Sequence, residues 1–304
     1  MFDLIIIGGG PAGMTAAVYA ARKKINTLML AREIGGQVVW TGKVENYMGY
    51  QFIEGFELME KFEQQLKQFP IDLRSGEEAV SVKKTAFGFE VGVRSGRVFQ
   101  SRALIVATGK IPRRLNVPGE ETLTGRGVSY CAVCDAPVFA EMDVAVVGGG
   151  NSALEAIDDL LKIASKVYSI SEKGFTGDEV LIDRVKDNPK LVCFKSHQVT
   201  EIGGRERVES ITFKNILNGE KTLASVSGIF VEIGLIPNSN LVKDLVKVNN
   251  LDEIVIDCRT ATRLAGLFAA GDVTDTPEKQ IIIAAGEGAK AALQAQRYLS
   301  RLTV

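Results

Sequence analysis

The sequence predicts an α/β protein with two Rossmann-like, three-layer domains, the second inserted into the first. Three observations lead to this prediction. The chain has 304 residues, a length that suits two domains better than one. A strand, a glycine turn, a helix and a second strand follow one another at the N-terminus, and the same order recurs near the middle of the chain. Prolines mark two places where the chain can cross between domains, at residues 111–119 and 236–238.

Each repeat is visible in the pattern of apolar residues. Residues 4–7 form a continuous apolar run, which is typical of a strand buried on both faces of a parallel sheet. A helix over residues 12–24 and a strand over 27–30 complete the first βαβ unit. The second unit consists of a strand over 144–147, a helix over 152–163 and a strand over 166–170.

The segment between the repeats predicts further strands. Residues 89–100 indicate a hairpin that turns at Ser95-Gly96, and residues 103–109 indicate a buried strand ending in a glycine turn. We therefore expect the first domain to comprise residues 1–115 and 243–304, and the inserted domain to comprise residues 116–242.

Composition limits the partners. The formal charge is -1 and Lys and Arg form no run, so we expect neither nucleic acid nor a membrane surface as a partner. No apolar stretch approaches the roughly 20 residues that span a bilayer. The chain enters a strand by its third residue without a basic leader or a cleavage site, which favours a cytoplasmic location.

The first glycine turn is a dinucleotide-binding motif. Gly8, Gly10 and Gly13 stand in the pattern G-x-G-x-x-G between a strand and a helix, where backbone amides at the helix N-terminus can hold a pyrophosphate. Glu33 lies twenty residues beyond Gly13, at the end of the next strand. A carboxylate at that position can accept hydrogen bonds from an adenosine ribose.

The second glycine turn repeats this motif as G-x-G-x-x-A. Its residues are Gly148, Gly150, Asn151, Ser152 and Ala153. Two such motifs predict two dinucleotide-binding domains and two cofactors, and one domain inserted into the other suits electron transfer from a nicotinamide to a flavin. A degenerate fold that has lost its second ligand is the alternative.

Cys131 and Cys134 form a Cys-x-x-Cys pair, whose spacing allows a small disulfide ring and redox exchange. Zinc binding is one alternative, but the other cysteines are isolated and His197 is the only histidine, so no metal site is predicted. A purely structural disulfide is the other alternative, and such bonds are rare in the cytosol. Cys193 and Cys258 are expected to be buried, inert thiols.

Asp135 follows the pair directly. A carboxyl beside a thiol and a reduced flavin can shuttle a proton. An aspartate in a surface turn is the alternative interpretation.

Together these segments resemble the low-molecular-weight thioredoxin reductase family and, within it, the flavoprotein subunits of alkyl hydroperoxide reductase. The resemblance covers nearly the whole chain. Its matching pieces are residues 8–13, 35–37, 44–46, 107–109, 131–135, 148–153 and 266–272, and Gln280 before the last helix.

The resemblance implies that the first domain binds FAD and that the inserted domain binds the nicotinamide and carries the redox pair. The FAD-binding positions that it adds are Gly36, Gln37, Asn46, Thr108, Gly109, Gly271, Asp272, Gln280 and Ile281. Asp272 would contact the ribityl chain, and Gln280 and Ile281 would lie by the isoalloxazine. The helix that begins near Ile281 would direct its positive end toward a flavin that becomes anionic on reduction.

The same resemblance implies roles for the redox residues. Cys134 would face the flavin, Cys131 would attack a partner's disulfide, and Asp135 would act as acid and base. The inserted domain is then expected to rotate about its two connections, presenting the cysteine pair or the nicotinamide to the flavin in turn. A homodimer is also implied.

One departure from the family pattern concerns the nicotinamide. Ser171-Glu172-Lys173 replaces the usual His-Arg-Arg that grips the 2′-phosphate of NADPH, and Thr176 stands where another Arg is common. Glu172 can instead accept hydrogen bonds from ribose hydroxyls, so we expect NADH, with NADPH less favoured. A solvated residue at the end of a strand is the alternative interpretation of Glu172.

Two further departures concern the redox loop and the N-terminus. Ala136 stands where the family usually has Gly, so the turn after the redox helix must form without easy positive φ. The flavoprotein subunits of alkyl hydroperoxide reductase carry an N-terminal thioredoxin-like extension, whereas Met1 leads straight into the flavin domain here. We expect any such module to be a separate protein.

The expected function is an NADH-dependent, FAD-containing reductase of a thioredoxin-like or glutaredoxin-like protein disulfide. One alternative is a ferredoxin-driven flavin thioredoxin reductase with a vestigial nicotinamide site. Another is a non-enzymatic, redox-sensing flavoprotein.

Overall fold

The computed structural model describes residues 1–41 and 43–302. Its helices and strands follow in this order: β1 (Phe2–Ile7), α1 (Pro11–Arg22), β2 (Thr27–Ala31), β3 (Lys43–Val44), β4 (Ile53–Glu54), α2 (Gly55–Leu66), β5 (Asp72–Ser75), β6 (Ala79–Thr85), β7 (Gly88–Val93), β8 (Val98–Val106), β9 (Lys110–Pro112), α3 (Glu120–Leu123), β10 (Val128–Ser129), α4 (Ala132–Asp135), β11 (Asp143–Val147), α5 (Asn151–Ile163), β12 (Lys166–Ser171), α6 (Glu179–Val185), β13 (Leu191–Lys195), β14 (His197–Gly204), β15 (Val208–Asn215), β16 (Lys221–Ser225), β17 (Gly228–Val231), β18 (Leu235–Pro237), β19 (Leu267–Ala269) and α7 (Ile281–Leu302).

The chain divides into two units. Unit 1 comprises Met1–Val39, Glu45–Ile111 and Ile236–Val304, and unit 2 comprises Trp40–Val44 and Pro112–Leu235. The divisions lie a few residues before those expected from the sequence, and the short segment Trp40–Val44 groups with unit 2 although no sequence pattern indicated it. The ligands expected for the two domains stay predictions.

Unit 1 is built on a sheet with the strand order β5-β2-β1-β8-β7-β6, in which β19 also pairs with β8. The predicted first βαβ unit is confirmed, because β1 and β2 pair in parallel on either side of α1 in sequence. The predicted hairpin is also confirmed, and its second strand runs on without a break into the strand predicted over 103–109. That single strand, β8, pairs antiparallel with β7 and parallel with β1.

Unit 2 has three layers. Its parallel sheet has the strand order β10-β17-β11-β12-β13, and a separate antiparallel sheet has the order β14-β15-β16. Leu154 and Leu160 of α5 pack on one face of the parallel sheet. Ile211 and Phe213 of β15 belong to the apolar core on its other face. The predicted fold class is confirmed, since each face of the central sheet buries its apolar side chains under another layer.

Candidate functional site

The two cysteines of the Cys-x-x-Cys pair form a disulfide, with their Cα atoms 5.4 Å apart. The pair follows β10, so it lies at the carboxyl edge of the parallel sheet of unit 2. The carbonyl of Cys131 accepts hydrogen bonds from the N–H groups of Cys134 and Asp135, at 3.2 and 3.1 Å. Ala132 and Ala136 are buried in the core that includes α5, which fixes α4 from its apolar side.

Ala136 causes no backbone strain. Its angles are φ -51° and ψ -41°, in the right-handed helical region that any L-residue adopts. The chain leaves α4 through a 3-10 helix, Ala136–Phe139, so this turn does not use the positive φ that a glycine would permit.

Ser129 connects Asp135 to the cysteine pair. The Ser129 hydroxyl donates to Oδ2 of Asp135 at 2.6 Å and accepts the backbone N–H of Cys131 at 3.1 Å. Ser129 is buried and Asp135 is partly buried, so Asp135 is not a solvated residue of a surface turn. Sequence analysis missed Ser129 because a serine at the end of a strand belongs to no motif; its place two residues before the first cysteine was the only signal.

The second glycine motif lies where β11 meets α5. A Cβ atom at Gly148, which has φ 141°, would lie 2.2 Å from the carbonyl oxygen of Glu232, so only glycine fits. Gly150 caps α5, and a Cβ atom there would have no described heavy atom within 4 Å. Ala153 is buried within α5, and Ser152 is exposed in its first turn. The motif therefore leaves the N-terminus of α5 open to an anion.

A loop after β12 closes beside this motif. A Cβ atom at Gly149 would lie 2.1 Å from the carbonyl oxygen of Gly174, and the N–H of Thr176 donates to the carbonyl of Gly149 at 2.7 Å. Asn151 donates to Asp178 at 2.9 Å and accepts the N–H of Asp178 at 2.8 Å, which anchors the far end of the loop.

Glu172 is exposed at the start of this loop, directly after β12. The loop therefore starts near the glycine turn and is held to it at Thr176. A ribose-binding carboxylate is compatible with this position, and the structure does not test the alternative of a solvated residue.

Glu232 links the glycine motif to the redox helix. It follows β17, its N–H donates to the carbonyl of Val147 at 2.8 Å, and its carboxyl faces the backbone N–H of Ala132. Burial raises the pKa of Glu232 to about 7, the negative charge of Glu155 raises it further, and the N–H of Ala132 opposes the shift. No sequence motif identifies Glu232, which joins two motifs that lie apart in the sequence.

The first glycine motif has the same construction in unit 1. Gly8 has φ 125°, and a Cβ atom there would lie 2.1 Å from the carbonyl oxygen of Ala107. A Cβ atom at Gly13 would lie 2.0 Å from the carbonyl oxygen of Gly8. Gly10 caps α1, and a Cβ atom there would have no described heavy atom within 4 Å. The turn is tightly closed on its inner side and open toward a ligand.

Several predicted FAD-binding residues border this turn. A Cβ atom at Gly36 would lie 3.5 Å from the Cα atom of Gly10. Gln37 donates to the carbonyl of Lys110 at 2.6 Å. Glu33 is exposed at the end of β2, where it pairs with Arg32 at 2.9 Å.

Other predicted FAD-binding residues are paired with one another or with neighbours in unit 1. Asn46 donates to Gln280 at 3.0 Å. The Thr108 hydroxyl donates to the carbonyl of Asn238 at 2.8 Å, and the Asn238 amide donates to the carbonyl of Thr108 at 2.9 Å. Gly109 follows with φ 67° and open space at its Cβ position.

Asp272 lies just beyond β19, at the carboxyl edge of the sheet of unit 1. The preceding Gly271 donates its N–H to the buried carboxylate of Glu287 at 2.7 Å, which fixes the turn. Burial raises the pKa of Asp272, whereas the charges of Lys279 and Lys110 lower it. Ile281 begins α7, so the N-terminus of this helix follows Gln280 directly.

Two lysines and one glutamate form a buried cluster behind Asp272. Glu253 contacts Lys110, lies 3.3 Å from the ammonium of Lys279 and accepts a hydrogen bond from Asn249 at 2.6 Å. The side chains of Lys110 and Glu253 are 7% and 8% exposed, so this ion pair is shielded from water. Sequence analysis missed this cluster because its members are isolated charges in the sequence.

The remaining cysteines and the search for metal and membrane sites complete the description. Cys193 and Cys258 are exposed free thiols, so the expectation that both are buried is wrong. Cys193 lies on β13, at an edge of its sheet, and Cys258 lies in a turn. In residues 1–41 and 43–302, no three His, Cys, Asp or Glu side chains are grouped so as to hold a metal ion. Within the same ranges, no helix has the length and apolar character needed to cross a bilayer.

Comparison with known proteins identifies the class. Residues 2–289 match the family described as pyridine nucleotide-disulphide oxidoreductase, and the chain belongs to this family of enzymes. The match covers both glycine motifs and the cysteine pair.

The relatives place it more narrowly. An alkyl hydroperoxide reductase flavoprotein of Staphylococcus aureus (strain MSSA476) is 42% identical over 301 residues, covering 99% of this chain and 59% of the relative. A Bacillus subtilis (strain 168) protein named NADH dehydrogenase is 41% identical with the same coverage. The chain thus spans about three fifths of the length of these relatives. Thioredoxin reductase from Streptococcus pyogenes MGAS5005 is 36% identical, with a TM-score of 0.91 over 99% of each chain. The resemblance drawn from the sequence is confirmed.

Proposed function

We propose that the protein is an FAD-dependent disulfide reductase that takes electrons from NADH and passes them through Cys131 and Cys134 to a thioredoxin-like or glutaredoxin-like protein. The observation that carries this proposal is the Cys131–Cys134 disulfide at the carboxyl edge of a sheet that also bears a glycine motif. A cytoplasmic location and a homodimer belong to the same proposal and depend on the family resemblance.

The residues of unit 1 fit FAD. Gly10 leaves the N-terminus of α1 open, where backbone amides can bind a pyrophosphate. Asp272 offers a carboxylate for the ribityl hydroxyls, and the start of α7 offers a positive dipole end near Ile281. A bound flavin supplies two-electron exchange between a nicotinamide and a disulfide.

The residues of unit 2 fit a dinucleotide without a 2′-phosphate. Gly150 and Ser152 lie at the open N-terminus of α5, and Glu172 is a candidate acceptor for ribose hydroxyls. The name of the Bacillus subtilis relative, NADH dehydrogenase, supports NADH as the donor.

The cysteine pair then exchanges electrons with the partner. Cys134 takes electrons from the flavin side, which breaks the disulfide, and Cys131 attacks a sulfur of the partner's disulfide to form a mixed disulfide. Cys134 resolves this adduct, re-forming the Cys131–Cys134 bond and releasing the partner as a dithiol. Asp135 holds the proton that one of the two sulfurs must gain and later lose.

The test has two stages. Anaerobic addition of NADH to the holoenzyme should bleach the flavin absorbance, with NADPH less effective. Purified Cys134→Ser protein should then capture its partner as a stable mixed disulfide through Cys131, because the resolving thiol is missing. Cys193→Ser, which removes an exposed free thiol, is the matched control and should capture nothing.

Each failure points to a different error. A flavin that neither nucleotide reduces overturns the nicotinamide half and favours the ferredoxin-driven alternative. A flavin that is reduced but never reoxidised by any disulfide protein overturns the reductase half and favours the redox-sensing alternative. An adduct that forms only in Cys131→Ser reverses the assignment of the two cysteines.

A further inference from the structure

The Ser129 hydroxyl has three hydrogen-bonding neighbours around the redox helix. Oδ2 of Asp135 lies 2.6 Å away, the N–H of Cys131 lies 3.1 Å away, and the carbonyl oxygen of Cys131 lies 3.3 Å away. Ser129 is 6% exposed, so water has little access to this site. The three contacts come from one side chain that is fixed at the end of β10, which pairs with β17.

A serine hydroxyl has one proton and two lone pairs, so it cannot donate to both oxygens at once. When Asp135 is ionised, Ser129 donates to the carboxylate at the shorter of its two possible distances. When Asp135 carries a proton, the carboxyl donates to the Ser129 oxygen, and the hydroxyl proton can turn to the carbonyl oxygen of Cys131. Both arrangements use the same heavy-atom positions, because only the two protons move.

This property suits a group that must both give and take a proton. Two-electron reduction of the disulfide by the reduced flavin breaks the S–S bond and leaves an electron pair on each sulfur. The Asp135 acid gives its proton to one sulfur and becomes a carboxylate. When the pair later attacks the partner's disulfide and re-forms its own bond, that sulfur loses its proton to Asp135, and the leaving sulfur of the partner takes the electron pair.

We propose that Ser129 is a positioning residue that holds the Asp135 carboxyl against the redox helix in both its charged and its neutral form. The proposal rests on the proposed disulfide reductase function and adds the group on which its proton transfer depends. The hydroxyl also binds the N–H of Cys131, which has no side-chain cap of its own, so it fixes the attacking residue and the carboxyl to one point.

The test compares Ser129→Ala with Ser129→Thr in the holoenzyme. Rapid-mixing measurements follow flavin reduction by NADH and flavin reoxidation through the cysteine pair. Ser129→Ala should slow the second phase about 10-fold or more, as expected for the loss of a hydrogen bond to a charged group. It should also move the pH profile of that phase to higher pH, because the ionised carboxylate loses a donor. Ser129→Thr keeps the hydroxyl and should restore both the rate and the profile.

A second readout does not require the flavin. In the chemically reduced protein, the pH dependence of thiol alkylation at the Cys-x-x-Cys pair should shift in Ser129→Ala and return in Ser129→Thr. Ser169→Ala is the matched control, because Ser169 is buried on β12, three strands away from β10 in the same sheet. It should change neither readout.

The outcomes separate the two proposals. Wild-type protein that never passes electrons to its cysteine pair contradicts the proposed function. Wild-type protein that does so, with Ser129→Ala giving the same rate and pH profile, overturns the role of Ser129. Equal slowing at every pH, without rescue by threonine, also overturns it and indicates a packing role only.

Discussion

Replacing Glu232 by Gln should make the protein more stable at alkaline pH. Burial raises the pKa of this carboxyl from 4.5 to about 7, because its charged form is poorly solvated beside Ala132. Between these two pH values the unfolded chain loses the proton while the folded protein keeps it. Wild-type stability therefore falls as the pH rises from 4.5 to 7 and changes no further above 7.

The size of the effect follows from the same shift. An increase from 4.5 to about 7 corresponds to roughly 3 kcal/mol at about 1.4 kcal/mol per pH unit. Since Glu232 is partly exposed, we expect roughly 2 kcal/mol after solvent screening. A glutamine side chain has the shape of the protonated acid and can still accept from the N–H of Ala132, so the variant avoids this cost.

Thermal unfolding of both proteins from pH 4.5 to pH 8.5 tests the argument. The Glu232→Gln protein should match wild type at pH 4.5 and exceed it in stability above pH 7. Glu155→Gln should give part of the gain, because it removes the like charge that raises the pKa of Glu232. Glu201→Gln, at an exposed position on β14, is the control and should give no pH-dependent difference. A gain from Glu232→Gln that is the same at every pH would refute the electrostatic explanation.

Three further predictions concern charged residues. Glu172→Arg should raise kcat/KM for NADPH relative to NADH by about three- to tenfold, since solvent screens an exposed charge; an unchanged ratio would show that Glu172 does not discriminate. Asp135→Asn should slow flavin reoxidation by the disulfide far more than flavin reduction by NADH, and stopped-flow traces that slow equally would make the residue positional only. Glu253→Gln leaves two lysines without their acid and should lower the free energy of unfolding by about 3–5 kcal/mol, whereas Lys110→Met leaves Glu253 with Lys279 and should cost clearly less; denaturant unfolding that gives the reverse order would contradict this account.

The features that sequence predicted are those with a local cause. The buried strands β1 and β11 are short apolar runs, and Gly8 and Gly148 need a conformation that only glycine adopts easily, so both βαβ units could be located within a few residues. The Cys-x-x-Cys spacing of Cys131 and Cys134 likewise contains its own chemical meaning, and the structure joins the two in a disulfide.

The features that sequence did not predict depend on contacts between distant segments. Lys110 and Glu253 lie far apart in the chain and become a pair only when the sheet of unit 1 is assembled. Glu232 lies at the end of an apolar strand and meets the redox helix through the order of strands β10 and β17. Cys193 was expected to be buried because it lies in an apolar run, but β13 is an edge strand of its sheet and leaves the thiol exposed.

The small size of the redox ring has a consequence for durability. Cys131 and Cys134 are separated by only three positions, so their bond restricts the unfolded chain little and contributes about 2 kcal/mol by loop-closure entropy. Ala132 and Ala136 stay packed in the core whether or not the bond is present. Opening and closing the ring therefore leaves most of the folding free energy in place. We expect the oxidised and reduced proteins to resist heat and proteases almost equally, so that repeated turnover does not expose the chain to damage at each cycle.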